Sequence, residues 1–123
     1  MAKSANNELD AFLTGKSPRA MELYMHFIQE YKKLGALEII PAKTMLGVFN
    51  GKRRVAYITR FGKNFLHVVF MFDQAYPDNL CFTKVAQVPG TNQFNHHFRM
   101  LDEADVNKEV KKFMKMAVKA ELA

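Results

Sequence analysis

Apolar residues recur with helical spacing from Pro18 to Leu34, at Met21, Tyr24, Phe27, Ile28, Tyr31 and Leu34, which predicts an amphipathic helix. Ser17 is placed to cap it, Pro18 suits its first turn and Gly35 lies just past its end. Upstream, Leu9, Phe12 and Leu13 predict one or two helical turns stopped at Gly15. From Leu37 to Leu101 the period changes to two. Leu37 to Ile40 reads as a strand ended by Pro41, and Lys43 to Phe49 as a second closed by Asn50-Gly51, a hairpin signal. Arg53 to Phe61 and Phe65 to Phe72 follow, joined across Gly62-Lys63-Asn64. After the loop from Asp73 to Asn79 come Leu80 to Val88 and Phe94 to Leu101, joined across Pro89-Gly90. A last helix is expected from Asp102 as N-cap, with Val106, Val110, Phe113 and Ala117 as its apolar stripe. Its lysines, Lys108, Lys111, Lys112, Lys115 and Lys119, read as a solvated face because Asp105 and Glu109 are interspersed among them.

Short turns between strands imply antiparallel pairing. The expected fold is therefore α+β: an antiparallel sheet of five or six strands, with N-terminal and C-terminal helices packed on one face, in a single domain spanning residues 1–123. One strand strains this picture. Phe65 to Phe72 is apolar at both parities, so it is either covered on both faces by the chain itself or completed by a pocket or a second subunit.

Composition narrows the class. The chain has 123 residues and is 49% hydrophobic and 24% charged, the balance of a folded globule. Its single cysteine, Cys81, excludes an internal disulfide and a thiolate metal cage, as expected in a reducing compartment. No apolar run reaches the roughly 18 residues of a membrane span, and the opening residues contain no signal-peptide core, so a soluble cytoplasmic protein is expected.

The net charge of +6 is localised. Residues 1–42 and 101–123 are each balanced, with five basic and five acidic groups. Residues 43–100 hold eight basic groups (Lys43, Lys52, Arg53, Arg54, Arg60, Lys63, Lys84 and Arg99) against Asp73 and Asp78, together with ten of the fifteen aromatic residues. The excess charge belongs to the sheet.

Most familiar chemistries fail against this sequence. Thr14-Gly15-Lys16-Ser17 ends like a phosphate-binding loop, but Asp10 stands where the earlier glycine is needed, and the segment reads as a helix start. His96 and His97 are adjacent in a strand and point to opposite faces. A metal site would need His67 with one of them, plus carboxylates that the sheet nearly lacks. His26 reads as structural. Cys81 opens an apolar strand and reads as a packing residue. Thr44, Thr59 and Thr83 have no identifiable partner base, and paired carboxylates for hydrolysis are missing. The run Arg60 to His67 misplaces the glycine and aromatics of an RNA-recognition signature. Lys52, Arg53 and Arg54 read as charges guarding a hairpin edge.

Lys43, Arg60, Lys84, His97 and Arg99 are different, because each falls inside a strand or at its end. A cation within an aromatic sheet needs an anion, a carboxylate or water to offset its desolvation, and carboxylates are scarce here.

Several segments together resemble a family of small, mostly bacterial domains, domain of unknown function 5655. They are Phe12-Leu13-Thr14-Gly15, Pro41-Ala42-Lys43-Thr44 with Phe49, Arg54-Val55-Ala56 leading to Arg60, Phe82-Thr83-Lys84-Val85, His96-His97-Phe98-Arg99 and Asp102 to Val106. The resemblance spans about residues 9–118. It implies a compact α+β domain and supplies no activity, substrate or cofactor. Carried over by position, it points at Lys43, Thr44, Arg60, Lys84, His96, His97 and Arg99. The run Asn50-Gly51-Lys52-Arg53-Arg54 is more basic than the family's pattern.

Three readings follow. The preferred one is a non-catalytic binding module, without cofactor or metal, whose basic aromatic sheet holds a small anionic ligand or a nucleic acid. The second is an enzyme with His97 or His96 as general base and Lys43 or Arg99 stabilising negative charge. The third is a homodimer or protein-interaction domain that buries the strand from Phe65 to Phe72.

Overall fold

The computed structural model describes residues 2–119, with side chains from residue 8 onward. Two helices, α1 (Ala2–Leu13) and α2 (Pro18–Lys32), precede six strands: β1 (Glu38–Pro41), β2 (Leu46–Phe49), β3 (Arg54–Phe61), β4 (Leu66–Phe72), β5 (Lys84–Gln87) and β6 (Phe94–Met100). A 3-10 turn (Glu103–Asp105) and α3 (Lys108–Lys119) close the described chain. The strands form one antiparallel sheet in the order β1-β2-β3-β4-β6-β5, so β6 inserts between β4 and the edge strand β5. No helix among the described residues is long and apolar enough to cross a membrane.

Local chemistry sets the helix boundaries. The Ser17 hydroxyl accepts from the Ala20 N–H and lies 2.9 Å from the Gly62 and Lys63 carbonyls, so it both caps α2 and pins that helix to the β3–β4 turn. This accounts for the phosphate-loop-like segment. The end of the chain departs from the sequence expectation of one helix from Asp102. Asp102 caps only the 3-10 turn, because Asp105 Oδ2 accepts from the backbone N–H groups of Leu101 and Asp102 and closes a capping box within four residues. A fresh cap at Asn107, whose Oδ1 accepts from the Val110 N–H, then starts α3.

The helices cover one face of the sheet. Leu23, Phe27 and Tyr31 of α2 and Val110, Phe113, Met114 and Ala117 of α3 pack on Val48, Ile58, Val68, Phe70, Phe98 and Met100 in one buried cluster. Tyr31 donates to the Met114 carbonyl at 3.0 Å, and Glu30 bridges Lys33 and Lys111, which joins α2 to α3. Arg19, paired with Glu22 on its own helix, ties α2 to the chain before α3 through Asp102 and Glu103.

The doubly apolar strand is explained by this arrangement. Leu66, Val68, Phe70 and Phe72 lie under the helices, whereas His67, Val69 and Met71 point to the opposite face. Val69 and Met71 are only 4% and 7% exposed, buried among their sheet neighbours without a helix above them. Little apolar area is left on this strand for a second subunit.

Candidate functional site on the open sheet face

The face turned away from the helices is organised by register. Across β4 and β6, His67 stands opposite Arg99, and Val69 opposite His97. On the edge, Lys84 stands opposite His97. On the other side, Arg60 stands opposite His67, and Tyr57 opposite Val69. Arg60, His67, Arg99, His97 and Lys84 therefore share one face across four neighbouring strands.

Strand β3 reaches this arrangement by two irregularities. The register shifts between Val48 and Phe49 against β2, and again between Ile58 and Arg60 against β4. Each shift inserts an extra residue, Val55 and then Thr59. Arg54, Tyr57 and Arg60, spaced by three, thus fall on the same face, where simple alternation would put Tyr57 opposite the two arginines. Val55 and Ala56, although consecutive, are both in the core.

Two aromatic rings floor the ends of the face, and a glycine lies beneath each. A Cβ at Gly47 would meet the Phe49 ring at 2.7 Å, and one at Gly62 would collide with the Phe65 ring. Each ring in turn carries a guanidinium. Arg54 lies 5.2 Å from the Phe49 centroid and 4.6 Å from that of Tyr57, whose hydroxyl accepts from its Nη1. Arg99 and Arg60 lie 4.7 and 5.9 Å from the Phe65 centroid. The Arg54, Arg60, Lys84 and Arg99 side chains are exposed, and among the described residues none makes an ion pair with a carboxylate. Glu38, at the far edge on β1, is the single carboxylate within the six strands.

At the centre of the face, His67 Nε2 and His97 Nδ1 are 2.9 Å apart, so one ring donates to the other. Both are held below the ordinary imidazole range. For His67, burial dominates, followed by His97, Arg99 and Arg60; for His97, burial is followed by Lys84. The pair is neutral at pH 7, surrounded by fixed cations. An anion on this face would meet up to four permanent positive charges and two rings able to take up a proton.

The chain matches the domain of unknown function DUF5655 over residues 9–119. It belongs to this family. Comparison with curated proteins and with solved structures returns no match.

Of the positions singled out in this DUF5655 chain, the fold brings Arg60, Lys84, His97 and Arg99 together and separates the others. Lys43 and Thr44, expected in a strand, lie in the β1–β2 turn, and Lys43 borders a shallow cleft with Glu8, Ala11 and Phe12 of α1. An arrangement of His97 with Lys43 is therefore not formed. His96 points into the core, fully buried. Its Nε2 accepts from the Tyr76 N–H and its Nδ1–H donates to the Phe94 carbonyl, both at 3.0 Å, which fixes a neutral tautomer with no free nitrogen. His67, Phe65, Arg54, Tyr57 and Phe49 join the face without having been singled out as binding residues. Arg53 departs from its neighbours and donates to the Ala117 carbonyl at the end of α3. Cys81 has its thiol pushed up to about 12 by burial and by Glu109, which keeps it protonated at neutral pH. A groove of about 690 Å³ on the helical side, lined by Leu34, Met116 and Lys111, Lys112, Lys115 and Lys119 of α3, is separate from this face, and there Lys111 is engaged by Glu30. Among the described residues no group of three or more metal-ligating side chains occurs.

Proposed function

We propose that this DUF5655 chain is a non-catalytic binding module that holds an anionic ligand on its open sheet face. The observation that carries the reading is the set of Arg54, Arg60, Lys84 and Arg99 on one face without a carboxylate partner, around the neutral His67–His97 pair. Unlike Arg19, which three carboxylates hold in place, these arginines rest on aromatic rings. Leaving a ring at an exposed site costs about 0.5–1 kcal/mol, less than a charge-assisted hydrogen bond to an anion returns.

The test is a calorimetric titration of the full chain with tripolyphosphate at low salt, repeated with Arg60→Gln/Arg99→Gln and with Lys112→Gln/Lys115→Gln on α3. Binding that disappears in the first variant and survives in the second supports the reading. Binding that survives in the first and disappears in the second moves the site to the helical groove and refutes it.

A further inference from the structure

We infer that the ligand of this face is a single-stranded nucleic acid, an inference that rests on the anion-binding reading above. The first argument is span. Arg54 and Arg60 are six residues apart on β3, but the two bulges take up two of those residues, so they stand four pairing positions apart, about 14 Å at ordinary strand rise, and Lys84 lies three strands from Arg60, about 14 Å away. One phosphate cannot touch cations so dispersed; a chain of phosphates can. The second argument is the pair of rings lying across glycines. A side chain at Gly47 or Gly62 would lift Phe49 or Phe65 from the sheet, so the glycines keep each ring low, with one side turned outward to a guanidinium. When phosphates draw Arg54 and Arg99 away, those ring faces become free to stack bases, the sequence-tolerant contact of single-strand binders. Duplex bases are already stacked on one another and cannot use them. The third argument is polarity between the ends. Phe49 with Arg54 stands at one end of β3 and Phe65 with Arg60 and Arg99 at the other, so a strand laid along β3 meets ring and cation together at both ends.

The experiment measures fluorescence anisotropy of end-labelled dT12 and rU12 with the full chain, against a duplex of equal length and against polyphosphate of equal charge as competitor. Neutralising four phosphates of a single strand gives a log–log salt slope near −2.8, about 50-fold weaker binding at 200 mM than at 50 mM salt. Arg99→Ala should reduce the slope by about 0.7, and Phe65→Ala should weaken binding by about tenfold while leaving the slope unchanged. Phe65→Leu, which keeps apolar cover over Gly62 but cannot stack, gives the same readout if the alanine variant does not fold.

Polyphosphate displacing the oligonucleotide at equal charge, with both Phe65 variants binding like the parent, would overturn the inference and leave the anion-binding reading standing. Duplex binding as tight as single-strand binding would overturn it as well. Absence of binding to oligonucleotide and tripolyphosphate alike would remove both.

Discussion

Replacing His96 by leucine separates the roles of the two adjacent histidines. His96 is fully buried, its ring packed against Phe72 and Phe82, and it satisfies two backbone groups at once, the Phe94 carbonyl and the Tyr76 N–H. Leucine has similar volume and neither hydrogen bond. An orphaned buried backbone group costs about 1–3 kcal/mol, so two orphans bound the effect at about 2–6 kcal/mol. Half-buried Tyr76 lies in the largely exposed loop between β4 and β5, where its N–H can turn to water, which places the expected loss near 3 kcal/mol. For a chain of this size that lowers the melting temperature by roughly 10 °C. His97→Leu loses only the contact with His67 on an open face and is expected to change stability by less than about 1 kcal/mol. Urea denaturation followed by far-UV circular dichroism measures both, and anisotropy with dT12 below the unfolding transition measures binding. His96→Leu should keep the parent affinity within about twofold, because its side chain does not reach the open face. A variant as stable as the parent but unable to bind would refute this division between a core histidine and a face histidine.

Three further outcomes are expected. His67, His96 and His97 titrate below their unfolded value of 6.5, so their contribution to stability is complete above pH 6.5 and falls as pH drops through their folded values; urea midpoints at pH 7.5, 6.5 and 5.5 should decline in that order, and a flat series would contradict it. Lys33 and Lys111 hold the Glu30 carboxyl down to about 2, so Glu30→Gln should destabilise the chain at pH 7, with the gap to the parent closing as pH falls from 4.5 toward 2. A constant gap across acid titration would show that the carboxylate is not what Glu30 contributes. Gly62→Ala should cost about 1–3 kcal/mol by driving Phe65 off the sheet, and its thermal melt should fall well below that of Gly90→Ala after allowance for the strain at Gly90's positive φ; equal losses would mean that the ring does not constrain Gly62.

The helices and the sheet were legible because their signals are local. The stripe from Met21 to Leu34 and the turns at Asn50-Gly51 and Gly62 act within a few residues, and α2, β3 and β4 formed within two residues of their expected bounds, whereas α1 runs back to Ala2 and the strand expected from Leu80 to Val88 is only Lys84–Gln87, with Cys81 in the turn before it. The site was legible only in part. Alternation correctly separated His96 from His97, but it could not say which faced the core, since that depends on β6 pairing with β4 so that His96 stands opposite Phe70. Arg54 was read with Lys52 and Arg53 as a charge beside the hairpin turn, and its place next to Tyr57 was not legible for a sharper reason. A period of two puts it opposite Tyr57, and the two bulges that reunite them arise from cross-strand register and leave no residue signature such as a glycine within β3. His67 was weighed only as a metal ligand, because its meeting with His97 crosses strands that are distant in sequence. Lys43 was placed in a strand from the apolar run that follows it, whereas the chain stays in a turn until Leu46.

The homodimer reading fares differently from the binding readings once charge is placed in space. A C2 interface through the open face would bring each copy's Arg54, Arg60, Lys84 and Arg99 toward the same residues of the other, with one Glu38 at an edge of each copy, two strand carboxylates in all, to answer eight cations. Desolvating like charges without partners is costly, and Val69 and Met71 have almost no exposed area left to offset it. The same features favour an anionic partner. The chain is rich enough in acids to neutralise its sheet, yet it spends Glu22, Glu30, Asp102 and Glu103 on Arg19, Lys33 and Lys111 at the helical side. What makes the open face basic is therefore where the carboxylates are as much as where the arginines are. A carboxylate introduced there tests this directly: Asn95→Asp, on the outward register of β6 two residues from His97, should weaken dT12 binding several-fold and raise the proton affinity of the histidine pair. An unchanged affinity with shifted histidine titration would mean that the ligand avoids the face the histidines occupy, and the proposal would fall.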